Sequence, residues 1–345
     1  MPPTPDSVTV AVVCYNEAHR LKSCVERIAN QRFDAPFDIL LVDGGSTDGT
    51  RTIIQELIRR DGRIRSVDNP RRIVAAGRNV AWRECRTELL AFTDADCHVP
   101  ETWLATLVAT WQAEKSADAS LAAVGGGNLP PHQHDGFYGA LPIFLGSYFG
   151  GRNSHQNVVL PRLVPVDYLP TLNVLYACEA LEAIGGFDER HFGQVSEDVD
   201  VGLRLRARGR TMRFTPYATL VHHQRASLRS WARNMFLYGF GRWQLIRWHA
   251  TMRTLENLLT LALPLAMLSA CFSFLHVVLA FPLVFYMLFF LYHTCWLCLR
   301  ADAWRLWPRV FALFPVTHFS YAMGLFWGMV SRCNLPPHPD EMTCK

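Results

Sequence analysis

The chain has 345 residues, a formal net charge of +4 and 50% hydrophobic residues. That length allows two or three structural units, and the modest charge, with no basic run interleaved with aromatics, speaks against a nucleic-acid-binding protein. The mean hydropathy of +0.07 is high for a purely soluble chain, and the excess lies after about Leu255.

Taken in chain order, the first part alternates strands and helices. Val8 to Val13 is a short β-rich apolar run, and Ala18 to Gln31 follows with helical spacing of Leu21, Val25 and Ile28. Phe37 to Val42 reads as a second strand. The turn-rich stretch Asp43 to Thr50 leads into a helix over Thr50 to Arg60, with Thr47 or Asp48 as its cap. Ile64 to Val67 is a brief strand stopped by Asn69-Pro70. A helix covers Ile73 to Cys85, Leu89 to Thr93 is the next strand, and Pro100 opens another helix.

Such alternation predicts an α/β fold with a mostly parallel sheet and helices on both faces. Ligands of such sheets bind outside the carboxyl ends of the strands. That rule gathers Asn16, Glu17, Asp43, Asp94 and Asp96 on one rim. Asp94-Ala95-Asp96 ends an apolar run with two carboxylates one residue apart. Such a pair can hold a hard divalent cation together with a ligand's hydroxyls or phosphates.

The middle, Ala122 to His249, is less regular and richer in Gly, Pro and aromatics. Its charged landmarks are Phe187 to Arg190 and Ser196 to Asp200, with a helix beginning near Glu197. Pro216 to His223 is strand-like and ends in two histidines. After it, Leu255 to Leu299 is almost uncharged and long enough for two membrane spans, and Val310 to Val330 makes a third. Arg229, Arg233, Arg242, Arg247 and Arg253 precede the first span, and Arg300, Arg305 and Arg309 separate the last two. The positive-inside rule then places the N-terminal part in the cytoplasm. The expected division is 1–121, 122–250 and 251–345, with spans at 255–277, 279–299 and 310–330.

The N-terminus carries no signal-peptide pattern. Five cysteines are scattered through the polar part without paired spacing, as expected of reduced thiols in a cytosolic compartment. Cys295-x-x-Cys298 lies inside an apolar segment and reads as helix packing rather than a metal or redox site.

The motifs Val13-Cys14-Tyr15-Asn16-Glu17, Val42 to Thr50, Ala76-Gly77-Arg78-Asn79, Asp94-Ala95-Asp96 and Glu197-Asp198 occur in an order that resembles family 2 glycosyltransferases. The resemblance covers residues 8 to 243. It implies a GT-A fold and an inverting, metal-dependent transfer from a nucleotide sugar. The C-terminal spans look like those of the membrane-anchored subgroup that builds exopolysaccharides or glycolipids.

The resemblance also implies residue roles. Tyr15, Asn16 and Glu17 line the nucleotide pocket, Asp43 accepts from the base, and Arg78 fixes base or phosphates. Asp94 binds ribose or assists the metal. Asp96 coordinates Mg2+ or Mn2+, with His222, or else His223, as a further ligand. Asp198 is the general base, with Glu197 beside it.

Three departures stand out. Gly44 replaces the second Asp of the common Val-Asp-Asp-Gly-Ser. No Lys precedes Arg78-Asn79. Gly239 stands where the Gln of the processive Gln-x-x-Arg-Trp motif would precede Arg242-Trp243, and that stretch reads equally as an interfacial helix.

The expected function is transfer from a nucleotide sugar, a uridine diphosphate sugar, to a lipid-linked or polysaccharide acceptor at the inner membrane, with polysaccharide-assembly proteins as partners. A sugar nucleotidyltransferase shares the sheet-and-metal logic but usually has a Gly-rich, Arg-containing loop after its first strand, where this chain has Cys14-Tyr15-Asn16-Glu17. A non-catalytic nucleotide-sugar-binding scaffold would be marked by a missing carboxylate, and Asp43, Asp94, Asp96 and Asp198 are all present.

Overall fold

A computed structural model describes residues 7–133, 136–151, 162–223, 227–259 and 262–331. In chain order the elements are β1 (Val8–Cys14), α1 (Leu21–Ala29), β2 (Phe37–Asp43), α2 (Thr50–Arg60), β3 (Ile64–Asp68), α3 (Val74–Glu84), β4 (Leu89–Asp94), β5 (Cys97–His98) and α4 (Trp103–Ala117). There follow β6 (Leu121–Leu129), α5 (Gly136–Leu145), α6 (Tyr148–Gly151), β7 (Val164–Pro165), β8 (Asn173–Ala177), α7 (Cys178–Ile184), α8 (Glu197–Ala207) and β9 (Thr211–His222). The rest is helical: α9 (Leu228–Trp248), α10 (Leu255–Leu258), α11 (Ala262–Cys271), α12 (Phe281–Arg300) and α13 (Trp307–Val330).

The chain divides into two compact units, one of residues 1–129 and 158–224, the other of 130–157 and 225–345. The boundaries expected after residues 121 and 250 therefore move. The change in composition near residue 122 does not mark a domain edge, because β6, β8 and β9 complete the sheet that β1 begins.

The first unit is built on one sheet with the strand order β3-β2-β1-β4-β8-β6-β9-β5, and β7 pairs with β9. Strands β3, β2, β1 and β4 are parallel and are joined through α1, α2 and α3. Val8, Val10, Ala11 and Val12 of β1 are all fully buried, as a parallel strand covered on both faces demands. On α1, Leu21, Cys24, Val25 and Ile28 form the buried stripe, the spacing of one helix face. The sheet is mostly parallel, as expected, with β6 and β9 also pairing in parallel, but β8 runs antiparallel to both β4 and β6. An apolar run encodes burial, not strand direction, so the alternation could not reveal this. The helix expected to open at Pro100 begins at Trp103, after a turn in which the Pro100 carbonyl accepts from the Trp103 amide.

Asn173 ties the antiparallel half together. Its side-chain amide donates to the carbonyls of Gly127 and Ala218 at 2.8 and 2.7 Å and accepts from the Trp103 indole at 2.8 Å. A Cβ at Gly126 would lie 2.2 Å from the Ala218 carbonyl oxygen, so the strands can approach this closely only without a side chain there.

The second unit packs α5, α9, α12 and α13 around Phe144, Trp231, Phe290 and Phe314. The Trp231 indole donates to Thr317 at 2.7 Å and Arg242 Nε to the Tyr321 hydroxyl at 2.9 Å. A Cβ at Gly239 would fall 1.8 Å from the Tyr321 carbonyl oxygen. The crossing of α9 and α13 thus excludes the glutamine of the processive motif at this position.

The stretches Val277–Arg300 and Trp304–Val330 are long and apolar enough to cross a membrane. On α12, Phe281, Phe285, Leu288 and Tyr292 share one face and are more than half exposed. Of the span expected at 255–277, the described residues form α10 and α11, and residues 260–261 lie outside the described residues.

Asp118, at the end of α4, accepts from the Ser120 amide and hydroxyl, from Thr211 Oγ1 at 2.6 Å and from Arg213 at 3.1 Å. The hydrogen bonds from Ser120 and then Thr211, with help from the Arg213 charge, hold its carboxyl down to about 2. Because the folded value is depressed, the stabilisation is full above the ordinary carboxylate value and is lost as pH falls through about 2. Asp118→Asn is expected to cost about 1 kcal/mol at neutral pH after solvent screening. Denaturant titrations should show that difference from wild type shrinking between about pH 4 and pH 2.

Candidate active site

An open cleft of about 230 Å3 lies at the carboxyl ends of β1 and β4, and its lining includes Tyr15, Glu17, Gly44, Arg78, Asp94 and Asp96. Three non-glycine residues around this unit's loops take left-handed backbone: Asn16, Arg72 and Ser196, with φ of 56°, 55° and 63°. Such strain persists only where the surroundings enforce it. At Arg72, which also lines the cleft, no motif foretells it.

The loops after β1 and β2 hold each other. The Asn16 amide donates to Ser46 Oγ at 2.8 Å, Asn16 Oδ1 accepts from the Thr47 amide at 2.8 Å, and the Glu17 amide donates to Thr50 Oγ1 at 2.9 Å. The cap of α2 is Gly49 rather than the expected Thr47 or Asp48, and Asp48 accepts from the amide and hydroxyl of Thr50. Asp43 is buried and does not line the cleft. Its carboxylate accepts from the Ser46 amide and hydroxyl and from Arg51 Nε at 2.7 Å. These bonds engage about four acceptor positions, all that a carboxylate offers. Asp43 thus holds its own loop, and Arg51 joins it to Asp68 at 2.9 Å.

On α3, Arg78 is buried, pairs with the buried Glu197 at the start of α8, and stands 3.9 Å from Asp94. The Phe187 ring lies 6.0 Å from its guanidinium. Glu197 therefore faces Arg78 as its partner. Asp198 lies close enough to Asp94 to push that carboxyl up, and its own Oδ1 accepts from the Val199 amide at 2.8 Å. Asn79, unremarked in the sequence beyond its motif, exchanges hydrogen bonds with the Phe187 amide and carbonyl at 2.8 and 2.9 Å and donates to Glu189 at 2.6 Å.

At the end of β4, Asp94 and Asp96 behave oppositely. Burial pushes the Asp94 carboxyl up; Arg78 opposes the rise and Asp96 adds to it. Burial works the same way on Asp96, but the hydrogen bond and charge of His222, with Arg20, outweigh it and leave that carboxyl below its ordinary value. His222 Nε2 stands 3.3 Å from Asp96 Oδ2, and Arg20 is 3.7 Å away. Burial lowers the imidazole, yet the hydrogen bond to Asp96 prevails and raises it. His223 turns to His98 at 2.9 Å, so the pairing of β5 with β9, with Cys97 opposite His222, leaves His222 as the histidine on Asp96.

Ligand atoms of Asp96, Cys97 and His222 lie within 4.8 Å of one another. His222 Nδ1 is buried without a hydrogen-bond partner among the described residues. A carboxylate and an imidazole with a nitrogen to spare suit Mn2+ or Mg2+. Burial pushes the Cys97 thiol up, and its soft sulfur is a poor partner for a hard cation. The donor set thus fits a divalent metal through Asp96 and His222.

A GT-A-like mixed sheet with carboxylates gathered at its strand ends defines the class of nucleotide-sugar transferases. Residues 9–168 match the family described as glycosyl transferase family 2, and residues 89–291 match glycosyl transferase family group 2. The chain belongs to the family 2 glycosyltransferases. It is similar to the succinoglycan biosynthesis protein ExoA of Rhizobium meliloti (strain 1021), with 28% identity over 262 residues, 75% of this chain and 76% of ExoA. It is also similar to the pre-mycofactocin glycosyltransferase of Mycobacterium tuberculosis (strain CDC 1551 / Oshkosh), with 27% identity over 69% of this chain but only 47% of that protein. In fold it resembles the mannosyltransferase PcManGT from Pyrobaculum calidifontis, solved in complex with GDP-Man and Mn2+. The TM-score is 0.63 and the identity 19%, over 96% of this chain and 89% of that one.

Asn79 carries the join between α3 and the Phe187–Glu189 segment. Asn79→Ala leaves the buried Phe187 amide and carbonyl without it and is expected to destabilise the fold by about 2 kcal/mol, measured as a lower denaturation midpoint with an unchanged m-value.

Proposed function

We propose that the chain is a membrane-anchored, inverting glycosyltransferase that moves a sugar from a uridine diphosphate sugar to a lipid-linked or glycan acceptor at the cytoplasmic leaflet of a bacterial inner membrane. The observation that carries this reading is the gathering of Tyr15, Glu17, Arg78, Asp94 and Asp96 around one cleft at the strand ends, in a chain of the family 2 glycosyltransferases. Likeness to a succinoglycan biosynthesis protein supports a polysaccharide or glycolipid product and partners in polysaccharide assembly. The two long apolar helices support a membrane anchor that keeps the cleft near lipid-borne acceptors.

The donor lies in the cleft with its nucleotide against Tyr15, Asn16 and Glu17, in a loop that Asp43 holds through Ser46. Arg78, kept in place by Glu197 and Phe187, offers its charge to the diphosphate beside Asp94. Asp96 and His222 would hold Mg2+ or Mn2+, which when bound neutralises negative charge on the leaving diphosphate. Asp198 takes the proton from the acceptor hydroxyl. The hydroxyl oxygen forms the new bond at the anomeric carbon on the face opposite the diphosphate. The bond to the diphosphate breaks, so the configuration inverts, and the proton stays on Asp198. Glu197 is a positioning residue in this scheme, acting through Arg78.

The test is nucleoside diphosphate release by the detergent-purified protein, given Mn2+ or Mg2+, a panel of nucleotide sugars and a membrane lipid extract. Lipid-dependent release from a uridine diphosphate sugar is expected. Asp198→Asn should lower kcat by about 10²-fold or more while donor binding persists, and Asp96→Ala should abolish metal-dependent release. Release of pyrophosphate would overturn the reaction class. Turnover of a soluble acceptor without lipid would overturn the acceptor assignment, and turnover of a guanosine diphosphate sugar alone would replace the donor.

A further inference from the structure

The fold brings together two cysteines that are 93 positions apart in sequence. Cys85 follows the last residue of α3 and Cys178 is the first of α7, and their sulfurs stand 3.4 Å apart. Both are free thiols and both are half-buried. Strand pairing sets the distance: Leu89 of β4 faces Ala177 of β8, and the Cys178 amide donates to the Glu88 carbonyl at 2.9 Å. The sulfurs need to approach by only about 1.4 Å to reach bonding length.

The surroundings distinguish the two thiols. Cys85 Sγ lies 3.3 Å from Thr87 Oγ1 and 3.4 Å from the Thr87 carbonyl, and the Thr87 hydroxyl is fixed in turn by Thr9 and the Leu89 carbonyl. The hydrogen bond from Cys178, against the effect of burial and with help from Thr87, brings the Cys85 thiol down to about 6. The same contact, together with burial, pushes Cys178 up. One sulfur is suited to attack as a thiolate and the other to wait as a thiol.

We propose that Cys85 and Cys178 form a redox-active dithiol that closes to an intramolecular disulfide by exchange with a small-molecule disulfide such as oxidised glutathione. The Cys85 thiolate attacks one sulfur of the glutathione disulfide, forming a mixed disulfide and releasing one glutathione thiolate. Cys178 then gives up its proton to solvent and attacks Cys85 Sγ, and the second glutathione leaves. Two protein thiols are oxidised by two electrons, and one glutathione disulfide is reduced to two thiols. The new bond ties the end of α3 to the start of α7. Asn79 on α3 already holds Phe187 and Glu189, which follow α7, so oxidation adds a covalent tie between the helix that carries Arg78 and α7. This chemistry is independent of sugar transfer and stands without it.

The test equilibrates the full-length, detergent-purified chain in buffers running from reduced to oxidised glutathione, quenches with an alkylating agent and maps the cysteines by mass spectrometry. A Cys85–Cys178 bond is expected in oxidised buffer and should be reversed by dithiothreitol. Cys178→Ser should instead accumulate glutathione on Cys85, while Cys85→Ser should leave Cys178 unmodified. Wild-type protein that stays fully reduced, that stops at glutathionylated Cys85, or that bonds either cysteine to a different one would overturn the proposal. The wild-type measurement decides this even where a variant folds poorly.

Discussion

The candidate site depends on one buried ion pair. Arg78 comes from α3 in the parallel half of the sheet and Glu197 from the first turn of α8, 119 residues later. Two charges taken out of water cost several kcal/mol each, and only close, well-oriented pairing offsets that. Here the guanidinium also faces Asp94 at 3.9 Å and the Phe187 ring at 6.0 Å. The pair therefore fixes where a positive charge can stand in the cleft. It also sets the helix that presents Asp198. Removing either partner alone would leave a buried charge uncompensated, at a cost of about 3–5 kcal/mol.

The rest of the first unit serves that juxtaposition. The parallel strands bring Cys14 to Glu17, Asp43 and Asp94 to one rim through three helical crossovers. Strand β9 brings His222 back to the same rim from far along the chain, because it pairs parallel with β6, which like β4 runs antiparallel to β8. Asn173 satisfies its buried amide on β6, on β9 and on Trp103, so the join between the halves leaves that side chain with no unpaired polar atom. A satisfied buried polar group specifies one strand arrangement, because a slipped register would strand its donors.

The parallel half was legible because its signals are local. Helical spacing on α1 and alternation of apolar runs with turns predicted the first seven elements, β1 to β4 with α1 to α3, and the rule for strand ends gathered most of the rim. What the sequence concealed is what depends on partners distant in the chain. Asp43 reads as a ligand-facing carboxylate until Ser46 and Arg51 are seen to occupy it. Glu197 reads as a companion base until Arg78 is found against it. Arg20 and Arg51 carry no motif that separates them from ordinary surface or helix residues, and Asn79 enters only as the neighbour of Arg78 in its motif. The antiparallel direction of β8 left no trace, since its five residues are buried on both faces like those of a parallel strand.

Asp94 and Asp96 share one short motif but not one environment. A strand alternates its side chains, so residues two apart begin on the same side, yet β4 ends at Asp94 and the turn at Ala95 lets the two carboxylates diverge. Asp94 stays beside Arg78 on the helical side, where burial and the neighbouring acids raise it despite that cation. Asp96 turns towards the place where the two-residue β5 meets β9, and β9 delivers His222 to it. Like charges in one small site cannot both be held without separate partners. Here the fold supplies one to each: an arginine from α3 to the first and a histidine from β9 to the second. The motif's spacing brings two negative charges to the rim, and the mixed topology of the sheet is what allows them to remain there together.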